Sequence, residues 1–250
     1  MLSALLFLFV VVLGYLAGSI CSAIVVSKLF SLPDPRTTGS KNPGATNVLR
    51  LAGRQYAAIV LVGDMLKGFL PVLLAGLLGA GPVTLGFTCF AAVLGHMFPA
   101  FFDFRGGKGV ATALGALLGL HFILGVVVIA TWLVVANFTR YSSLASIISM
   151  IMAPWYALFT PNGFLLFPPL FFITIFIIYK HRNNITRLMD HQEPKIGSRS
   201  ASLEDEITET LIEEEQEEEL EQNSTESAPQ APLTEHTAES EVINKPGNAG

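Results

Sequence analysis

The chain has 250 residues, 51% of them hydrophobic and only 14% charged, with a mean hydropathy of +0.54; a water-soluble domain carries about 25% charged residues, so a cytosolic globule is excluded. The formal charge of −5 combines two unlike parts: residues 1–199 hold 14 Lys and Arg against 5 acids, a net of +9, and residues 200–250 hold Lys245 against 15 acids, a net of −14. The basic part is also the apolar part, which points to a lipid bilayer and away from nucleic acid.

A helix needs about 20 apolar residues to cross a hydrocarbon layer of roughly 30 Å. Residues 2–26 meet that length with no basic residue ahead of them, so they read as a retained span and not a cleaved leader. Residues 56–79 and 83–102 make two more spans. The uncharged tract 110–139 is long for one crossing, about 45 Å of helix, and short for two. Charge decides it: a turn at Gly119-Leu120-His121 returns Arg140 to the side of Arg105 and Lys108. The tract 141–179 carries Pro154, Pro161, Pro168 and Pro169 and divides at the turn-like Thr160-Pro161-Asn162-Gly163. The expectation is an all-α integral membrane protein of seven transmembrane helices. All Lys and Arg then fall toward one face, which the positive-inside rule makes cytoplasmic, with the N-terminus outside and the C-terminus inside.

Residues 1–199 therefore read as a transmembrane domain and 200–250 as an acidic cytoplasmic tail. Mutual repulsion and few apolar groups predict disorder there. Leu203, Ile207 and Leu211 recur every four residues, so a soluble partner that induces a helix is the alternative. Cys21 and Cys89 lie in apolar runs without metal or CxxC spacing and read as small core hydrophobes. Asp64 and Lys67, at i and i+3 within a span, read as a structural ion pair facing the bundle.

The inward connectors are where chemistry is expected. Gly39-Ser40-Lys41-Asn42-Pro43-Gly44-Ala45-Thr46-Asn47-Val48-Leu49-Arg50 offers backbone N–H groups, hydroxyls and amides able to wrap an oxyanion, and Arg50 adds a planar fork suited to phosphate. The plainer reading, a turn with helix caps, leaves so many donors unexplained. Phe104-Arg105-Gly106-Gly107-Lys108-Gly109 precedes a helix start, a favourable place for an anion; it is not a Walker A loop, because Phe102 stands where that pattern needs Gly. His96 lies near the inner end of the third span, as a structural hydrogen-bonding group or as a functional one beside a phosphate loop. Ser142 and Ser143 follow Arg140 at a helix N-terminus, either as caps or as anion donors. Lys180-His181-Arg182-Asn183-Asn184-Ile185-Thr186-Arg187 closes the last span, either as an ordinary basic anchor or as part of the site. Together these place Gly-rich donors, a histidine and several cations on one side of an apolar bundle, a surface suited to a phosphate head with an apolar tail. No metal-ligand cluster is visible and no cofactor is expected.

Four signatures carry a resemblance across about residues 18–197: Gly18-Ser19-Ile20, the GS-x-NPGATN-x-x-R loop from Gly39, Gly95-His96 followed by FRGGKGVAT, and RYSSLAS from Arg140 followed by HR-x-N at His181. The sequence closely resembles the bacterial acyl-phosphate:glycerol-3-phosphate acyltransferases, the integral-membrane PlsY family. The resemblance implies transfer of an acyl chain from acyl phosphate to glycerol 3-phosphate, giving 1-acylglycerol 3-phosphate and phosphate, at the inner membrane. It points to Ser40, Arg50 and His96 as catalytic residues. Gly39, Asn42, Gly44, Thr46, Asn47, Gly106, Gly107, Lys108, Ser142, Ser143 and Asn184 are the expected phosphate and substrate contacts. Lys41 departs from a usual Gly and Cys21 from a frequent Pro.

Acyl phosphate is an activated mixed anhydride, so direct attack by the acceptor hydroxyl needs no acyl-enzyme. Ser40 as a covalent nucleophile is the variant, although its loop lacks the G-x-S-x-G elbow. The H-x4-D acyltransferase class is disfavoured because Phe101 stands where that pattern needs Asp. A small transporter of phosphate or an organic phosphate is the rival class, since membrane charges and Gly loops suit it as well.

Overall fold

The structure, a computed structural model, describes residues 1–197; the tail expected over 200–250 lies outside the described residues. Ten helices follow in order: α1 (Leu2–Gly18), α2 (Ser22–Leu29), α3 (Ala45–Ala52), α4 (Arg54–Leu77), α5 (Pro82–Met97), α6 (Val110–Leu120), α7 (Phe122–Thr139), α8 (Ser142–Ala157), α9 (Gly163–Lys180) and α10 (Arg182–Met189). α4, α7 and α9 are long and apolar enough to cross a membrane alone; α5, α6 and α8 are apolar but shorter.

The long tract 110–139 divides where charge placement required. His121 takes an extended conformation, φ −157° and ψ 109°, and its Nδ1 accepts from Leu124 N at 3.3 Å, capping α7. The tract 141–179 divides around Thr160–Gly163, with Asn162 at φ +60°.

Three expectations needed correction. The first apolar run is not one helix: it bends by 42° between α1 and α2, where Ser19 Oγ donates to Tyr15 O at 2.8 Å and Cys21 turns extended ahead of α2. The third span stops at Met97, not residue 102, because Phe98-Pro99 leaves helical geometry. The polar connectors 45–52 and 182–189 are themselves short amphipathic helices, α3 and α10.

Apolar burial drives little helix association in lipid, so close packing must hold the bundle together. Small residues provide it at two seams. Between α1 and α5, Gly14 and Gly18 face Thr88 and Ala92; between α4 and α6, Gly68 faces Thr112 while Gly115 and Gly119 face Met65 and Phe69. At most of these a single Cβ would collide with a carbonyl of the partner helix. The core runs through Val72, Val93, Met97, Leu117, Val128, Met150, Leu170 and Ile177. Outward stand Leu5, Leu8 and Phe9 of α1, Leu70 and Leu77 of α4, Leu133 and Phe138 of α7, and Phe164 and Phe172 of α9. Exposed apolar surface on this scale belongs against hydrocarbon, not water. Cys21 and Cys89 are buried free thiols, as expected.

Candidate active site

The loop before α3 is shaped by one amide. Asn47, 1% exposed, accepts from Ser40 N at 2.9 Å through Oδ1 and donates through Nδ2 to Pro35 O at 3.0 Å and Thr38 O at 3.1 Å. Those bonds turn the loop through Gly39 at φ +63° and Lys41 at φ +55°. A glycine takes that conformation freely and a lysine does not, so Lys41 is held there at a backbone cost.

The loop, α3, the start of α6, the start of α8, and α10 with the segment after it enclose a cavity of about 280 Å³. Of the expected residues, Ser40, Asn42, Gly44, Thr46, Asn47, Arg50, His96, Lys108, Ser142, Ser143 and Asn184 all line it. They come from five separate stretches of chain, and Thr46 Oγ1 stands 3.5 Å from Ser142 Oγ although 96 residues apart. Arg50 is half-buried and makes no side-chain hydrogen bond or ion pair among the described residues; burial pushes its pKa down from the usual arginine value. The Ser143 hydroxyl is 6% exposed. It lies beside the Glu193 carboxylate without a well-formed hydrogen bond. The Arg50 guanidinium is a group prepared for an outside acceptor, and the Ser143 hydroxyl can turn toward one from its place beside Glu193.

Gly39, Gly106 and Gly107 do not line the cavity. Gly107 N donates to His96 O at 3.2 Å, and a Cβ on Gly107 would strike the His96 ring. Its lack of a side chain lets the second loop close over the histidine. Gly106 packs against the His96 carbonyl in the same way.

Sequence reasoning missed several lining groups. Asp64 was read only as the partner of Lys67; their side chains are 2.9 Å apart, and His96 Nδ1 joins the same carboxylate oxygen at 3.6 Å. Lys67 also donates to Ile20 O at 2.7 Å, tying the α1–α2 break to α4. Glu193 carried no sequence signal, one of two acids, with Asp190, between the last span and residue 197. It accepts from Asn184 Nδ2 at 2.7 Å and Arg187 Nε at 2.8 Å, while Asn184 Oδ1 accepts from Lys108 Nζ at 2.6 Å. Burial holds the Lys108 ammonium down to about 8; the Glu193 charge opposes that fall, and Arg187 and Arg50 add to it. His181 is brought down to about 4, by burial first and then by Lys108.

The remaining walls are apolar. Leu61, Met65, Leu114, Ile129 and Leu133 continue the cavity between helices, with Trp132 Nε1 donating to Ser146 Oγ at 3.0 Å. The site is thus a cationic chamber opening into a greasy slot, able to hold a phosphate at one end and an alkyl chain at the other.

The family model described as glycerol-3-phosphate acyltransferase matches residues 8–191. A glycerol-3-phosphate acyltransferase of Legionella pneumophila (strain Corby) is 62% identical over 200 residues, covering 80% of this chain and 72% of the relative. That of Pseudoalteromonas translucida is 50% identical over 201 residues, covering 80% and 96%. A crystal structure of PlsY (YgiH), an integral membrane glycerol 3-phosphate acyltransferase, in its glycerol 3-phosphate form, superposes with a TM-score of 0.72 at 41% identity, over 76% of this chain and 96% of that one. Its lysophosphatidic acid form gives 0.70 at 39% identity, over 79% and 98%. All of these carry an acyltransferase description, which leaves the transporter reading without support.

Proposed function

The chain belongs to the glycerol-3-phosphate acyltransferase family, and on that premise we propose that it transfers an acyl group from acyl phosphate to the 1-hydroxyl of glycerol 3-phosphate, at the cytoplasmic face of the bacterial inner membrane. The observation that carries this reading is the convergence of polar groups from five stretches of chain on one cavity with an apolar extension. Seven crossings, with α1 and α2 forming one broken span, place all of those stretches on one side.

In the proposed reaction the hydroxyl oxygen attacks the acyl carbonyl carbon. The new ester C–O bond forms, the anhydride C–O bond breaks, and inorganic phosphate leaves with the electron pair. The hydroxyl proton passes to a phosphate oxygen of the donor. Two phosphates must lie close together, and Arg50 and Lys108 offset their repulsion. The Ser40 to Asn47 loop presents N–H and hydroxyl donors to the developing oxyanion; one such donor is worth about 100- to 1000-fold in rate. His96, held by Asp64 on one side and by Gly107 on the other, orients the phosphates within the chamber. The alkyl chain lies along Leu61, Met65, Leu114 and Leu133.

The test is phosphate release by purified protein in detergent, where compartments vanish. Release that requires both acyl phosphate and glycerol 3-phosphate, with lysophosphatidic acid as product, supports transfer. Acylated Ser40 trapped in a donor-only incubation would replace direct transfer with a covalent route.

A further inference from the structure

Glu193 is out of place on simple grounds. A chamber built for phosphates should reject a carboxylate, yet Glu193 is 8% exposed and lines the cavity with Arg50, Lys108 and Arg187. The segment that carries it is fixed at both ends. Gln192 N and Glu193 N donate to Arg187 O at 2.7 and 3.1 Å, and Ile196 N donates to Arg140 O at 2.6 Å, answered by Arg140 Nη2 to Ile196 O at 3.1 Å. The strap thus joins the end of α10 to the corner where Ser142 and Ser143 begin α8.

The polar chain it completes has a single consistent direction. An ammonium only donates and a carboxylate only accepts, so the amide between them must point Oδ1 at Lys108 and Nδ2 at Glu193, as observed. The second carboxylate oxygen holds Arg187. Without the carboxylate, the ammonium alone would orient the amide, the Asn184 NH₂ would lose the acceptor that anchors it, and Arg187 would lose its ion-pair partner.

We propose that Glu193 is a positioning residue of the anion site: its carboxylate fixes the Asn184 amide and the Arg187 guanidinium in the one arrangement that holds the Lys108 ammonium at the cavity wall. It also supplies the counter-charge that lets three cations sit together before any substrate arrives. Unpaired buried cations are costly, and a single internal carboxylate offsets part of that cost. The charged and titratable groups sharing the cavity with Lys108 are Arg50 from α3, Asp64 from α4, His96 from α5, His181 before α10, Arg187 from α10 and Glu193 from the strap. Glu193 stands out among them as the acid joined to Lys108 through one shared amide. This inference deepens the proposed acyl transfer and rests on it for the identity of the phosphate.

The experiment measures inorganic phosphate binding by ³¹P NMR and, separately, turnover, from pH 6 to 10, on the full chain and on Glu193→Gln, Glu193→Asp and Lys108→Arg. Glu193→Gln should weaken phosphate binding at pH 7 about tenfold, the loss of one charge-assisted contact, and should move the alkaline midpoint of binding down by about one pH unit, the shift expected when an opposite charge is removed. Glu193→Asp keeps the charge on a shorter arm, so the midpoint should return while the affinity stays reduced. Lys108→Arg should remove the alkaline limb. Tighter phosphate binding in Glu193→Gln would make the carboxylate a competitor of substrate and overturn the proposal. So would an unchanged midpoint with a uniform loss, the mark of a purely structural residue. If Glu193→Gln does not fold, Glu193→Asp decides: its midpoint must match the full chain's. Phosphate binding is read without turnover, so a failure of the acyltransferase reading would show as intact phosphate binding with no product.

Discussion

Arg50 separates function from stability more sharply than any other residue of the cavity. Its guanidinium is half-buried and makes no side-chain hydrogen bond or ion pair among the described residues, so it pays a desolvation cost that the Glu193 charge offsets only in part. Replacement by alanine should therefore leave the melting temperature in detergent unchanged or slightly raised. Against a bound phosphate the same group supplies a bidentate fork, two charge-assisted hydrogen bonds at about 1.5–3 kcal/mol each. Allowing for partial replacement by water, about 3–4 kcal/mol is lost, which is about 200- to 1000-fold in kcat/KM. Arg50→Lys keeps the charge and loses the fork, so it should fall between, about 10- to 50-fold down. The assay is lysophosphatidic acid formation by mass spectrometry alongside thermal unfolding of the same preparation. Activity of Arg50→Ala within threefold of the parent would refute the reasoning, and so would a loss of activity that simply follows a loss of stability.

Lys108 gives a pH dependence. Burial lowers its pKa to about 8, the group binds anions only when protonated, and kcat/KM should fall from about pH 8 upward, approaching tenfold per unit; Lys108→Arg should keep kcat/KM level to beyond pH 9. Gly115→Val places carbons against the Met65 carbonyl and must force α4 from α6; a loss of about 3 kcal/mol or more is expected, read as a lowered melting temperature or no folded yield, whereas Gly79→Val, with open space around it, should cost only its backbone strain at φ +77°, about 1–2 kcal/mol. Deleting residues 201–250 should leave turnover within twofold, because the cavity is already lined by described residues that precede them; loss of catalysis would make the tail part of the enzyme.

Much of the fold was legible because lipid imposes a simple code. Hydropathy and charge placement located the break at His121 and the one near Asn162, and i,i+3 spacing paired Asp64 with Lys67 before any distance was measured. What escaped depended on short or solitary signals. α3 and α10 have eight residues each, too few for a periodicity to stand out from a polar connector. The break at Ser19–Cys21 interrupts no apolar run, so hydropathy passes over it. Among the site residues, hydroxyls, glycines and cations drew attention as phosphate donors, and that criterion passes over a carboxylate: Glu193 acquires meaning only when α10 and the strap set it against Asn184. Asn47, expected as a donor, lines the cavity and also uses its amide to shape the loop backbone, a second role that residue type alone does not announce. Gly106 and Gly107 line no part of the cavity, and their contribution is to let one loop close on His96.

Convergence of distant loops on one chamber is tested most directly by joining two of them. In a background with Cys21 and Cys89 replaced, Thr46→Cys with Ser142→Cys should form a disulfide under mild oxidation, because the native oxygens stand 3.5 Å apart, and glycerol 3-phosphate or inorganic phosphate should slow its formation by occupying the space between. Two freely reactive thiols that never cross-link, or a cross-link formed at the same rate with and without phosphate, would contradict a shared anion chamber.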